Sequence, residues 1–115
     1  MTHDALNPNV LSDLFGDDHE VIREILEAYA ADLTLQASDL QAAASERDRT
    51  RVSRIAHSLK GASANVGADD FAAFCATIEQ LAASAPWPSL DDACAQVAAD
   101  AVALCASVRR HLAGL

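Results

Sequence analysis

The sequence points to an all-α fold, an antiparallel up-and-down four-helix bundle with a short extra helix at its N-terminal end. Apolar residues recur at steps of three and four along four long segments, the spacing that returns to one side of a helix with about 3.6 residues per turn. Alanine dominates, β-branched and aromatic residues are few, and only three prolines and four glycines interrupt the 115 residues. The stretches between periodic segments are short, and short connections join antiparallel neighbours. A chain of this length buries one core but not two, so residues 1–115 are expected to form one domain: a polar tail over 1–6, a lid helix over 7–16 and the bundle over 17–115.

In the tail, His3 reads as a solvated bystander. Asn7 followed by Pro8 is a helix start, an N-cap with proline at the first helical position. The helix it opens carries Val10, Leu11, Leu14 and Phe15 and stops at Gly16. Two turns cannot stand alone, so this helix should lie as a lid across one end of the bundle. Asp17 and Glu20 have capping-box spacing and precede a long helix over about 18–45, with Val21, Ile22, Ile25, Leu26, Tyr29, Leu33, Leu40 and Ala44 on one side. His19, in its first turn, reads as a surface residue.

A charged turn, E-R-D-R-T, follows, with Asp48 as the cap of a third helix running to about Asn65. Gly67 suits the left-handed conformation that closes helices. Asp69 or Asp70 starts a fourth helix, whose core side is Phe71, Phe74, Cys75, Ile78, Leu81 and Ala82, and A-P-W-P ends it. Ser89 and Asp92 repeat the capping-box spacing and open the last helix, with Ala93, Val97, Ala101, Leu104, Cys105, Val108 and Leu112 inward. Arg109, Arg110 and His111 suit the negative end of its dipole, which makes His111 a capping or solvated residue.

Eight Lys and Arg against seventeen Asp and Glu give a formal charge of −9, which argues against nucleic acid or an anionic membrane as partner and for a protein. Cys75, Cys94 and Cys105 form no C-x-x-C pair and sit among apolar helical residues, so they read as reduced core thiols. Neither a signal-peptide pattern nor an 18-residue apolar run occurs, and a soluble, cytoplasmic protein is expected.

The third helix holds the candidate site. Val52, Ile55, Ala56, Leu59, Ala62 and Val66 form its core stripe, and His57 points away from that stripe, with Ser53, Lys60, Gly61 and Ala64 around it. Histidine suits the role of neutral nucleophile near pH 7, since its ordinary pKa is about 6.5 and one ring nitrogen keeps a free lone pair. Lys60, one turn on, places a compact positive charge near the imidazole. Gly61 costs about 1 kcal/mol relative to alanine within a helix, so something should need its bare backbone. Ser58 and Ser63 are assigned no catalytic role; Ser63 falls toward the core and is expected to bond to its own helix.

His57, Leu59, Lys60, Gly61 and Gly67 match H-x-L-K-G-x-x-x-x-x-G, and on these residues the chain resembles the histidine-containing phosphotransfer (HPt) domain of bacterial two-component phosphorelays. The resemblance implies that His57 accepts a phosphoryl group from the aspartate of a response-regulator receiver domain and passes it to another receiver, with a hybrid histidine kinase as a further possible partner. It implies that Glu79, twenty-two residues after His57, orients the imidazole. It implies a carrier with no cofactor of its own, the Mg²⁺ belonging to the receiver. No G-x-x-x-x-G-K-[ST] loop or glycine-rich ATP lid occurs, so phosphorylation from ATP is not expected. Docking is expected through small and apolar residues near His57, such as Ala64 and Ala68, with parts of the first helix.

Two other classes compete. A helical interaction domain would show no dependence on His57, and a metal-binding bundle would need inward Glu-x-x-His pairs or His at i and i+4, which are missing. The phosphoacceptor domain of chemotaxis kinases carries a similar motif but is followed by kinase domains. A stand-alone, monomeric phosphotransfer protein is therefore the expectation.

Overall fold

Five helices make up the computed structural model, which describes residues 2–115: α1 (Asn9–Phe15), α2 (His19–Ser45), α3 (Arg49–Asn65), α4 (Asp69–Ser84) and α5 (Trp87–Ala113). The last four form the expected antiparallel up-and-down bundle, with α2 against α5, α3 against α4, and the α2–α3 and α4–α5 contacts closing the ring. Their core stripes meet in one apolar cluster whose largest fully buried members include Leu26, Leu33, Leu59, Phe71, Ile78 and Leu104.

Helix length explains the need for a lid. At 1.5 Å per residue, the 27-residue α2 and α5 run about 40 Å, while α3 and α4, at 17 and 16 residues, run only about 25 Å. The four helices are tied together at the end where residues 46–48 and 85–86 turn. There the guanidinium groups of Arg47 and Arg49 each stand over the Trp87 ring, 4.7 and 4.6 Å from its centroid, and Arg47 bonds Asp91 at 2.8 Å. At the other end α2 and α5 overshoot the α3–α4 turn and leave a ledge. Leu11 of α1 is buried on that ledge, and the Asn7 amide donates to the Gly67 carbonyl at 2.8 Å.

That contact is why the turn requires glycine. Gly67 has φ +86°, and a Cβ there would run into the backbone oxygen of Asn7 and crowd Val10 at 3.2 Å. The helix starts later than the Asn–Pro pair suggested: Pro8, with φ −69° and ψ −16°, stands at the cap rather than at the first helical position, and Asn7 Oδ1 accepts the Asn9 amide at 3.0 Å from one residue further out. Of the apolar residues expected on α1, Leu11 is buried and Val10 half-buried, whereas Leu14 and Phe15 face outward, because two turns offer only one side to the ledge.

Two further caps differ from expectation. Asp18, not Asp17, caps α2, its Oδ1 accepting the Val21 amide at 3.2 Å, so Glu20 lies in the first turn and the box spacing from Asp17 is not used. The Ser89–Asp92 box does not open α5 either. That helix begins at Trp87, with Pro88 in its first turn, where the missing N–H costs no hydrogen bond. Asp48 caps α3 as expected, accepting the Arg51 amide at 3.0 Å.

The tail is not a solvated bystander. His3 grips the fully buried Asp100 of α5 twice, its amide 3.1 Å from Oδ1 and its Nδ1 2.6 Å from Oδ2. Its ring stacks on Phe74 at 4.5 Å. Gln96 donates to Asp100 Oδ1 at 2.7 Å, and Ser107 donates to the Asp4 carbonyl at 2.9 Å. A carboxylate without water needs such partners, and the tail supplies two of these three contacts. His19 is exposed, whereas His111 is half-buried beside α1.

Candidate functional site

His57 sits at the middle of α3 on the side opposite Ala56 and Leu59, and its side chain is 67 % exposed. Glu79 comes from the middle of α4, next to the buried Ile78, and this edge position carries its carboxylate across the α3–α4 seam. Oε2 lies 3.0 Å from His57 Nδ1 and Oε1 lies 3.1 Å from Lys60 Nζ. The carboxylate that the resemblance had singled out thus joins the two side chains of the motif, His57 and Lys60.

The protonation pattern follows from these contacts. The Lys60 hydrogen bond above all, with the Lys60 charge and His57 adding to it, holds the Glu79 carboxyl below the usual glutamate value against the opposing effect of burial. An ionised carboxylate can only accept, so the proton in the His57–Glu79 bond is on Nδ1. In the neutral ring that tautomer leaves the lone pair on Nε2.

Gly61 is exposed, and a Cβ built on it would meet nothing within 4 Å. No contact inside the described chain accounts for a glycine there. Ala64 is exposed, as a docking residue would be, but Ala68 is fully buried under the tail and α1, because the α3–α4 turn is roofed by the Asn7–Gly67 contact. Ala68 is therefore removed from any docking surface. Leu14 and Phe15 remain exposed on α1.

Ser63 is also placed differently from expectation. It is fully buried, and its hydroxyl pairs with the phenol of Tyr29 at 2.7 Å, because α2 brings a polar group to the same depth. Burial pushes the Tyr29 phenol well above its usual range, so it stays protonated. Burial pushes the thiols of Cys75 and Cys94 up to about 12 and about 11, with the charges of Asp100 and Asp91 adding to the effect, and all three cysteines are free and buried. Thiols so protonated are poor nucleophiles. Among the described residues, no three of His, Cys, Asp and Glu converge in a way that could hold a metal ion. No helix among them is long and apolar enough to cross a membrane.

A feature missing from the motif lies on the N-terminal side of His57. An open groove of about 630 Å³ runs between α3 and α4, lined by Arg49, Ser53, Arg54, His57 and Glu79 with alanines at its far wall. Arg54 is three residues before His57, hence on the same side of α3.

No curated protein and no solved structure matches the chain at a significant level. The model of the Hpt domain family matches residues 24–111, well over half of the chain and all of α3 and α4, and the chain belongs to that family, the histidine-containing phosphotransfer domains of two-component signalling.

Proposed function

We propose that His57 is the phosphoacceptor, taking a phosphoryl group at Nε2 from the phosphoaspartate of one receiver domain and passing it to the aspartate of another. The observation that carries this is the exposed ring whose Nδ1 is held by Glu79 at 3.0 Å, leaving the nucleophilic nitrogen free toward a visitor. The Nε2 lone pair forms the N–P bond as the P–O bond to the aspartate breaks, and the aspartate leaves as carboxylate. The Nδ1 proton stays in its bond to Glu79, which offsets the positive charge developing on the ring.

Lys60 shares Glu79 with His57 and stands one turn away, where its ammonium can meet the phosphoryl oxygens once they arrive. Gly61 lets the partner's loop come against the helix backbone. The Mg²⁺ and the acidic residues that hold it belong to the receiver in this scheme, and the chain acts as a carrier rather than a kinase.

Incubation with a receiver domain phosphorylated on its aspartate tests the proposal. Label should appear on the wild-type protein, survive base, be lost in acid, and be missing from His57→Gln. Label that persists on the variant would remove His57 from the reaction.

A further inference from the structure

Charge is distributed unevenly along this acidic chain. Five of its eight Lys and Arg residues fall between positions 47 and 60, where Asp48 is the only acid, and that acid is occupied as the cap of α3. The helix itself carries Arg49, Arg51, Arg54 and Lys60 and no carboxylate. Its first turn holds no acidic residue, whereas those of α2 and α4 hold Glu20 and Asp69 with Asp70. Cations toward a helix N-terminus oppose the dipole, so this arrangement is unfavourable for α3 alone and calls for a compensating role.

For four of the five cations that role is internal. Arg47 bonds Asp91, Arg49 stacks on Trp87 and donates to the Ala82 carbonyl at 3.4 Å, Arg51 pairs with Glu46 at 3.0 Å, and Lys60 with Glu79. Arg54 is exposed and has no hydrogen bond, ion pair or ring contact among the described residues. It lines the groove beside His57, whose only carboxylate among the described residues is Glu79, already shared between His57 and Lys60.

We propose that Arg54 is a docking residue: its guanidinium receives a carboxylate on the receiver domain's face, next to the phosphoryl-bearing aspartate, and sets which receivers engage His57. The partner that fits this groove is an acidic protein surface, drawn to the one basic strip on a chain of net charge −9. Arg49, immobilised by Trp87, forms the far rim of the same strip. A planar, bidentate donor suits carboxylate recognition in a way that a lysine would not. This assignment rests on His57 being the phosphoacceptor.

The test is the rate of His57 labelling by a phosphorylated receiver domain as the receiver concentration is varied, for wild type, Arg54→Ala, Arg54→Lys, Arg54→Glu and, as a remote control on α5, Arg109→Glu. Loss of the guanidinium should raise the half-saturating receiver concentration roughly five- to twenty-fold and leave the maximal rate in place, with Lys intermediate, Glu worse than Ala, and the control near wild type. Raising the salt from about 50 to about 300 mM should weaken the wild type more than Arg54→Ala. A fall in maximal rate with unchanged half-saturation would place Arg54 on the phosphoryl group and overturn the docking role. Equal half-saturation and equal salt dependence in wild type and Arg54→Ala would overturn it too, with His57 labelling intact. If no receiver labels His57 in the wild type, the phosphotransfer proposal falls first and this one with it.

Discussion

Glu79 of α4 holds Nδ1 of His57 on α3 at 3.0 Å, so the carboxylate that fixes the ring and the ring itself stand on different helices. Any slip of α3 against α4 would move one without the other. The packing of Leu59 and Ile78, buried beside them on the two helices, is therefore part of what sets the ring's tautomer and aim.

Glu79→Ala should slow transfer to His57 by about ten-fold or more, since the ring loses the acceptor that selects its reactive nitrogen. The variant should unfold at nearly the wild-type urea concentration, because Glu79 is on the rim of the core rather than in it. A single-turnover rate equal to that of wild type would give the orienting role to another group.

Lys60→Met should bring the Glu79 titration, followed by carbon NMR of its side chain, up toward the ordinary glutamate value of 4.5, from below it in the wild type. The sign for stability follows from the direction. A carboxyl whose pKa is lower in the folded protein than in the unfolded chain favours folding above the ordinary value, and that contribution is lost as the pH falls through the folded one. An unmoved midpoint would mean that Lys60 is not the main cause.

Tyr29→Phe and Ser63→Ala should each destabilise the protein by about 1–3 kcal/mol, because each leaves one buried hydroxyl without its partner. The double variant should cost less than the two single ones added, and urea unfolding of the four proteins measures the difference. Strict additivity would show that the two hydroxyls do not depend on each other.

The two glycines of the motif should respond in opposite ways to alanine. Gly61→Ala should stabilise α3 by up to about 1 kcal/mol and, under the proposed function, slow transfer, since the space around it is open in the free protein. Gly67→Ala should destabilise by more than about 1 kcal/mol, owing to its positive φ and the Asn7 carbonyl above it. Thermal melts and transfer rates on both variants separate the two effects.

Local regularities announced most of this. The phase of α3 placed His57 outward and Lys60 beside it, and the core sides of α2, α4 and α5 followed from spacing. Glu79 was identified by resemblance alone, since helix phase shows that a residue sits at an edge but not what lies across from it. Features that depend on an unknown neighbour were missed. Ser63 was placed inward, yet its partner on α2 was invisible, and nothing in the spacing pairs His3 with Asp100, 97 residues away. Adjacent aspartates at 17 and 18 offer two caps, and spacing does not choose between them. The two prolines around Trp87 were treated as breakers, although one of them is harmless in a first turn.

The tail's grip on α5 bears on how fast the fold is lost. His3 and Asp100 are 97 residues apart in the chain, so their contact closes nearly the largest loop available, whereas the α3–α4 hairpin closes within a few residues. Hairpins of neighbouring helices form early and the tail fastens afterwards. Severing it should then quicken unfolding and leave the refolding rate almost untouched, so that the first few residues act as a brake on departure from the native state.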